Sequence, residues 1–166
     1  MPAVRQQLSS IMARTVVVYN QAGGSNTMNT AHLMIRRSTL PGAGKGLFTK
    51  KAIAKGTLIV EYKGNITTWK AVQENEAFNG YVFYISRNLV VDARRTKKAL
   101  GRYANDAKGL NKLKGLRNNA VYTVKRGKVF IQAVRNIPAR AEILVDYGKE
   151  YWAIIRYNKR LEAQKK

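Results

Sequence analysis

The sequence predicts a mainly β fold with short helices, and three observations carry that expectation. Short β-branched and aromatic runs recur along the chain, glycine and proline turns separate them, and only two stretches space their apolar residues as a helix would. In chain order, Leu33–Arg37 is a strand, and Pro41-Gly42 opens a tight turn after it. Gly46–Thr49 and Thr57–Tyr62 are strands divided by a turn at Lys55-Gly56. Thr67 or Thr68 can cap a short helix carrying Trp69, Val72 and Glu76, with Asn79-Gly80 beyond its end. Tyr81–Ile85 and Leu89–Asp92 form a hairpin around Ser86-Arg87-Asn88. Asn119–Val124 and Lys128–Val134 form a second, turning at Arg126-Gly127, and Ile143–Asp146 is a last short strand. From Lys149 onward, Trp152, Ile155 and Tyr157 favour a C-terminal helix with a basic outer face. No internal repeat is visible.

Composition narrows the chemistry. The 166 residues suit one compact domain, and 45% hydrophobic residues are enough to build a core. No apolar run approaches the roughly 20 residues that span a bilayer, so no membrane partner is expected. With no cysteine and a single histidine, His32, thiolate nucleophiles, disulfides and multi-histidine zinc sites are excluded. The net charge of +22, from 31 basic against 9 acidic residues, points to contact with a polyanion, of which nucleic acid is the leading case. No acid precedes Glu61, and a second basic stretch runs from Arg94 to Lys128 with Asp106 as its lone acid. The acid-free start reads as a flexible tail ending near Thr30, with an organellar transit peptide as the alternative.

Gly42-Ala43-Gly44-Lys45-Gly46 invites a nucleotide-loop reading and fails it. Lys45 is followed by glycine instead of Ser or Thr, the Gly-x-Gly-x-x-Gly spacing is missing, and strand-like residues follow instead of a helix. A plain glycine turn between strands is the simpler reading of the segment taken alone.

Taken together, five fragments carry more. They are Gly42–Phe48, Glu61-Tyr62-Lys63-Gly64, Gly101-Arg102-Tyr103-Ala104-Asn105-Asp106, Asn119-Ala120-Val121-Tyr122 and Glu142–Gly148. In this order and spacing the chain resembles the SET-domain protein lysine methyltransferases, and more closely the short viral and protist type without cysteine-rich flanking modules. The resemblance implies small sheets around a knot-like crossing, where the chain near Asn105 passes beside the segment ending at Tyr147. It divides the chain into a basic arm (1–30), the SET domain (31–152) and a basic C-terminal helix or tail (153–166).

The resemblance also implies a reaction, methyl transfer from S-adenosylmethionine to a lysine amine, and assigns its parts. Lys45, Gly46 and Leu47 would meet the cofactor through their backbone, where glycine permits close approach. Asn105 stands where the family's asparagine binds the cofactor's amino group, and Asp106 departs from the histidine usual after it. Tyr81 can reach the cofactor carboxylate, Arg102 belongs to the same site, and Trp152 would cover the adenine. Tyr62, Tyr122 and Tyr147 fall where the family lines a narrow lysine channel, with Tyr147 serving both cofactor and amine. Each of these residues has a plainer reading as an ordinary turn, strand or core residue.

The segment 108–117 is longer and more basic than the family's usual link, so Lys108, Lys112, Lys114 and Arg117 are read as phosphate contacts. The expected substrate is a histone or other basic chromatin protein, with DNA or a nucleosome as a further partner and a homodimer left open. The corresponding place is the nucleus or a viral or chromatin-associated compartment. Two alternatives stand beside this one: an inactive SET scaffold that binds nucleic acid, and an active enzyme for a ribosomal or other nonhistone protein.

Overall fold

The computed structural model describes residues 28–74, 80–109 and 112–164. Among the described residues, nine strands and two α-helices run in the order β1 (Leu33–Arg37), β2 (Lys45–Thr49), β3 (Leu58–Glu61), β4 (Asn65–Thr67), α1 (Trp69–Glu74), β5 (Val82–Ser86), β6 (Leu89–Asp92), β7 (Ala120–Lys125), β8 (Lys128–Ala133), β9 (Val145–Asp146) and α2 (Lys149–Gln164). A 3-10 turn, Leu100–Tyr103, sits between β6 and β7. The strands make three sheets: β1-β2, β3-β8-β7-β9 and β4-β6-β5. The expected arm over residues 1–30 falls almost wholly outside the described residues, as do Glu76 and Asn79.

Local chemistry explains most boundaries. The Thr68 hydroxyl accepts the Ala71 N–H at 3.2 Å and so caps α1. The hairpin β7–β8 turns on Arg126 and Gly127, both at positive φ (49° and 72°). Strand β4 and the 3-10 turn were not anticipated, since three or four residues carry no periodicity. Strand β9 is also shorter than expected, because Ile143 and Leu144 are held by loop bonds: Ile143 N–H donates to Leu47 and Leu144 N–H to the Asn119 side chain.

Those loop bonds build the crossing. Leu144 pairs in parallel with Asn105 on one side, while β9 runs parallel to β7 on the other. The Val145 N–H donates to the Asn105 carbonyl at 2.8 Å, and the Asn119 amide bridges the Glu142 carbonyl and the Leu144 N–H. The segment before Tyr147 is thus gripped by two stretches distant in sequence, as the resemblance implied. Beneath it lies the main core, where Leu47, Ile131, Ile143 and Val145 are wholly buried. Each such side chain contributes about 1.5–3 kcal/mol by leaving water.

Candidate functional site

Two cavities flank the crossing. The first, about 270 Å³, is lined by Tyr62, Phe83, Tyr122, Tyr147 and Tyr151, with Lys108, Asp146 and Lys149 at its exposed end. The second, about 600 Å³, runs from the loop Leu40–Lys45 past Tyr81, Arg102, Asn105 and Asp106 to Trp152. Gly80, Tyr147 and Tyr151 line both. The larger volume falls within the ~300–1,000 Å³ usual for small-molecule sites.

The narrow cavity is a box of rings. Tyr62 meets Tyr122 edge-on at 5.4 Å, Phe83 meets Tyr122 at 5.0 Å, and Tyr122 stacks towards Tyr147 at 6.4 Å. Two of the phenols are fixed by backbone: Tyr62 donates to the Tyr81 carbonyl at 2.9 Å and Tyr147 to the Ala104 carbonyl at 2.7 Å. The Tyr122 hydroxyl has no hydrogen-bond partner among the described residues. Burial, reinforced by the neighbouring phenols, pushes the Tyr122 and Tyr147 hydroxyls well above the ordinary tyrosine value. Burial also raises that of Tyr62. All three are therefore neutral hydrogen-bonding groups through the physiological range.

The wide cavity is organised by two buried carboxylates. Glu142, 6% exposed, accepts from the Ser38 and Thr39 hydroxyls, the Thr39 N–H and the Asn105 amide, at 2.6–3.1 Å. Its approach requires Gly46, because a Cβ there would lie 2.2 Å from the Glu142 Oε1. Asn105 also donates to the Lys45 carbonyl at 3.0 Å, so its amide nitrogen is spent on fixing the glycine loop and its Oδ1 stays available as an acceptor. Asp106, 4% exposed, collects four donors: the Lys108 N–H and Asn118 amide on one oxygen, and the Tyr147 N–H and the Trp152 indole on the other, at 2.7–2.9 Å. Trp152 lies nearly parallel to Tyr147, 5.9 Å between centroids. Arg102 lies over the Tyr81 ring at 4.3 Å, and its Nε is buried with no partner, a donor suited to an anionic group.

Most residues singled out in the sequence converge here, with corrections. Tyr62, Tyr122 and Tyr147 share the narrow cavity. Lys45, Tyr81, Arg102, Asn105, Asp106, Tyr147 and Trp152 share the wide one. Gly46 and Leu47 line neither: Gly46 is closed off by Glu142, and Leu47 is wholly buried in the core. The loop wall is instead Leu40–Lys45, whose Gly42 and Gly44 take positive φ (74° and 70°). Lys108 is exposed like Lys112, Lys114 and Arg117 but differs from them in that its ammonium is paired with Asp146 at the narrow cavity. Glu142 and Tyr151 had been given no role. Glu142 is one of the few acids in a very basic chain, and Tyr151 lies one place before the Trp152 already noted.

These features define a class: a small β domain with two cavities back to back, sharing an aromatic wall at a chain crossing. The chain matches the SET domain over residues 44–148 and belongs to that family. It is similar to N-lysine methyltransferase KMT5A-A of Danio rerio, 29% identical over 119 residues that cover 66% of this chain and 33% of that protein. The protein of that name from Xenopus laevis is 27% identical over 127 residues, covering 69% and 36% respectively. N-lysine methyltransferase KMT5A of Xenopus tropicalis is 26% identical over 127 residues, with the same coverage. The chain spans about a third of the length of these curated relatives.

Proposed function

We propose that the chain is an S-adenosylmethionine-dependent protein lysine N-methyltransferase, acting on a histone or another basic chromatin protein. The observation that carries this reading is the meeting at Tyr147 of a narrow aromatic cavity and a wider one that also presents Arg102, Asn105 and Asp106. The wide cavity fits the cofactor. The unpartnered Arg102 Nε suits its carboxylate, the Asn105 Oδ1 its amino group, and the Trp152 face its adenine. When bound, S-adenosylmethionine supplies a methyl group activated by a sulfonium.

The chain's own residues prepare the amine. Tyr62, Phe83 and Tyr122 strip water from a lysine stem, which disfavours the charged ammonium and leaves the amine neutral. The Tyr147 hydroxyl, already donating to Ala104, offers its lone pairs to the amine's remaining N–H and so aims the nitrogen. Tyr122, with its hydroxyl unpaired, can hold an N–H or a water, and this bears on how many methyl groups fit. No strong general base is needed, in keeping with a chain that has one histidine.

Two expectations follow from these roles. Asn105→Ala should weaken S-adenosylmethionine binding by roughly 1–3 kcal/mol, since it removes an acceptor and frees the Lys45 carbonyl; calorimetry on the folded variant checks it. The rate should climb with pH as the substrate amine loses its proton, and phenol ionisation should not cut it near the ordinary tyrosine value. The sign follows from burial: it raises the phenols, so their neutral form persists above pH 10, the ordinary value. A basic limb falling below that pH in single-turnover rates would oppose the assignment.

A polyanion partner is also proposed, because the net charge is +22 and Lys112, Lys114 and Arg117 are exposed. Neutralising these three should weaken DNA binding without regard to sequence and lower the salt slope by about one per lost phosphate contact. A slope identical to wild type would move the contact to another face. Labelled methyl transfer to nucleosomes, free histones and ribosomes in parallel tests the function itself. Label in the histone lane supports the chromatin reading, label confined to ribosomes moves the substrate, and no label in any lane leaves the nucleic-acid-binding alternative.

A further inference from the structure

The exposed end of the narrow cavity holds an arrangement that methyl transfer alone does not require. Asp146 supplies the negative charge among the described residues lining this cavity, between Lys108 and Lys149. Its Oδ2 is paired with the Lys108 ammonium, and its Oδ1 accepts the Gly148 N–H at 3.0 Å. The two side chains stay reachable by solvent, 59% exposed for Lys108 and 32% for Asp146. Asp106 holds the base of the Lys108 residue by accepting its N–H, and the crossing holds Asp146 through β9 and β7. A lysine ammonium thus rests on a carboxylate at the entrance of a channel shaped for a lysine.

We propose that Asp146 is a specificity residue that takes a basic side chain flanking the substrate's target lysine, and that Lys108 holds its place until such a substrate arrives. The inference rests on the methyltransferase reading and names the substrate class of the same site: a lysine next to arginine or lysine. Three points support it. A chain of net charge +22 repels basic peptides over most of its surface, so recognition of one needs a local acid, and Asp146 is a partly exposed acid lining the narrow cavity. The pair is partly exposed, so exchanging one cation for another costs little desolvation. Arginine, with its planar fork, would gain a second hydrogen bond that the Lys108 ammonium does not make. Asp146 also raises the Lys108 ammonium above its usual value, so the placeholder stays charged wherever the enzyme works.

The test is a degenerate peptide library with one fixed central lysine and varied positions on both sides. It is offered with S-adenosylmethionine to the full chain, and the methylated pool is sequenced. Wild type should enrich arginine or lysine at one flanking position by about three- to tenfold, the span expected for a partly exposed charged hydrogen bond. Asp146→Asn, which can still accept the Gly148 N–H, should bring that ratio near one. Lys108→Gln should raise it, and the rise should vanish in the double variant. Enrichment that survives Asp146→Asn, or a Lys108→Gln effect that persists without the Asp146 charge, overturns the inference while leaving the methyltransferase reading in place. If wild type methylates nothing in the library, that reading fails and the inference falls with it. Circular dichroism of each variant separates a lost preference from a lost fold.

Discussion

Tyr147→Phe is expected to lower kcat by roughly 10²–10³-fold, the loss typical when one fixed polar group is removed from a reacting centre. The fold should survive, because the ring keeps its stacking on Trp152 and Tyr122 and only the hydroxyl bonded to Ala104 is lost. Tyr147 lines both cavities, as Tyr151 does, and its hydroxyl is anchored to the Ala104 carbonyl beside the crossing. Tyr62→Phe and Tyr122→Phe should do less to the rate and more to the number of methyl groups added. Single-turnover kinetics with mass spectrometry of the product reads both quantities. Full turnover by the Tyr147 variant would remove the residue from the chemistry.

Asp106→Asn should cost about 3 kcal/mol of stability and weaken the cofactor site as well. The carboxylate is buried and accepts four hydrogen bonds. An amide there aims an N–H at donors already pointing inward, so two of those bonds become clashes of like groups. If the amide takes the Oδ2 position, the two lost bonds are the Tyr147 N–H and the Trp152 indole, which position the shared aromatic wall. Urea titration measures the first effect and calorimetry with S-adenosylmethionine the second. A variant less than about 1 kcal/mol weaker, with unchanged cofactor affinity, would show that the four bonds do not position Trp152.

Particular residues show what was legible in the sequence and why. Tyr62, Tyr122 and Tyr147 were singled out by the family resemblance, through the order of the fragments that hold them, and the structure brings all three to one cavity. Leu47 was placed at the cofactor because the glycine loop was read one or two residues too far along. Strand β2 is buried on both faces from Gly46 to Thr49, and Leu47 lies in the core with no exposed surface. The crossing came only from the family resemblance, since Leu144 meets Asn105 across 39 positions of chain and no local pattern reports such a contact. Lys108 was read with its basic neighbours, Lys112 and Lys114. Its partner Asp146 is 38 residues away, so the pairing that turns it towards the channel was invisible in composition. Glu142 illustrates the same limit: its bonds to Ser38 and Thr39 span more than 100 residues.

The corrections share a cause. Apart from β4 and the 3-10 turn, local rules located the strands to within a residue or two, because backbone propensity is local. Roles that depend on which side chain faces which cavity were set by pairings across the crossing. Asp106 is the clearest case. Noted in the sequence only as a departure from the family's usual histidine, it is committed to holding Trp152, Asn118 and the Tyr147 backbone in register.

The measurement that tests the central claim most directly is a crystal structure of the chain with S-adenosylhomocysteine and a lysine-containing substrate peptide. The account predicts the cofactor product in the wide cavity between Arg102 and Trp152, with its sulfur facing Tyr147. The peptide lysine should enter from the opposite side, its stem between Tyr62 and Tyr122 and its nitrogen at the Tyr147 hydroxyl. A cofactor product bound away from Asn105 and Trp152, or a lysine that reaches it through the same opening, would contradict the account.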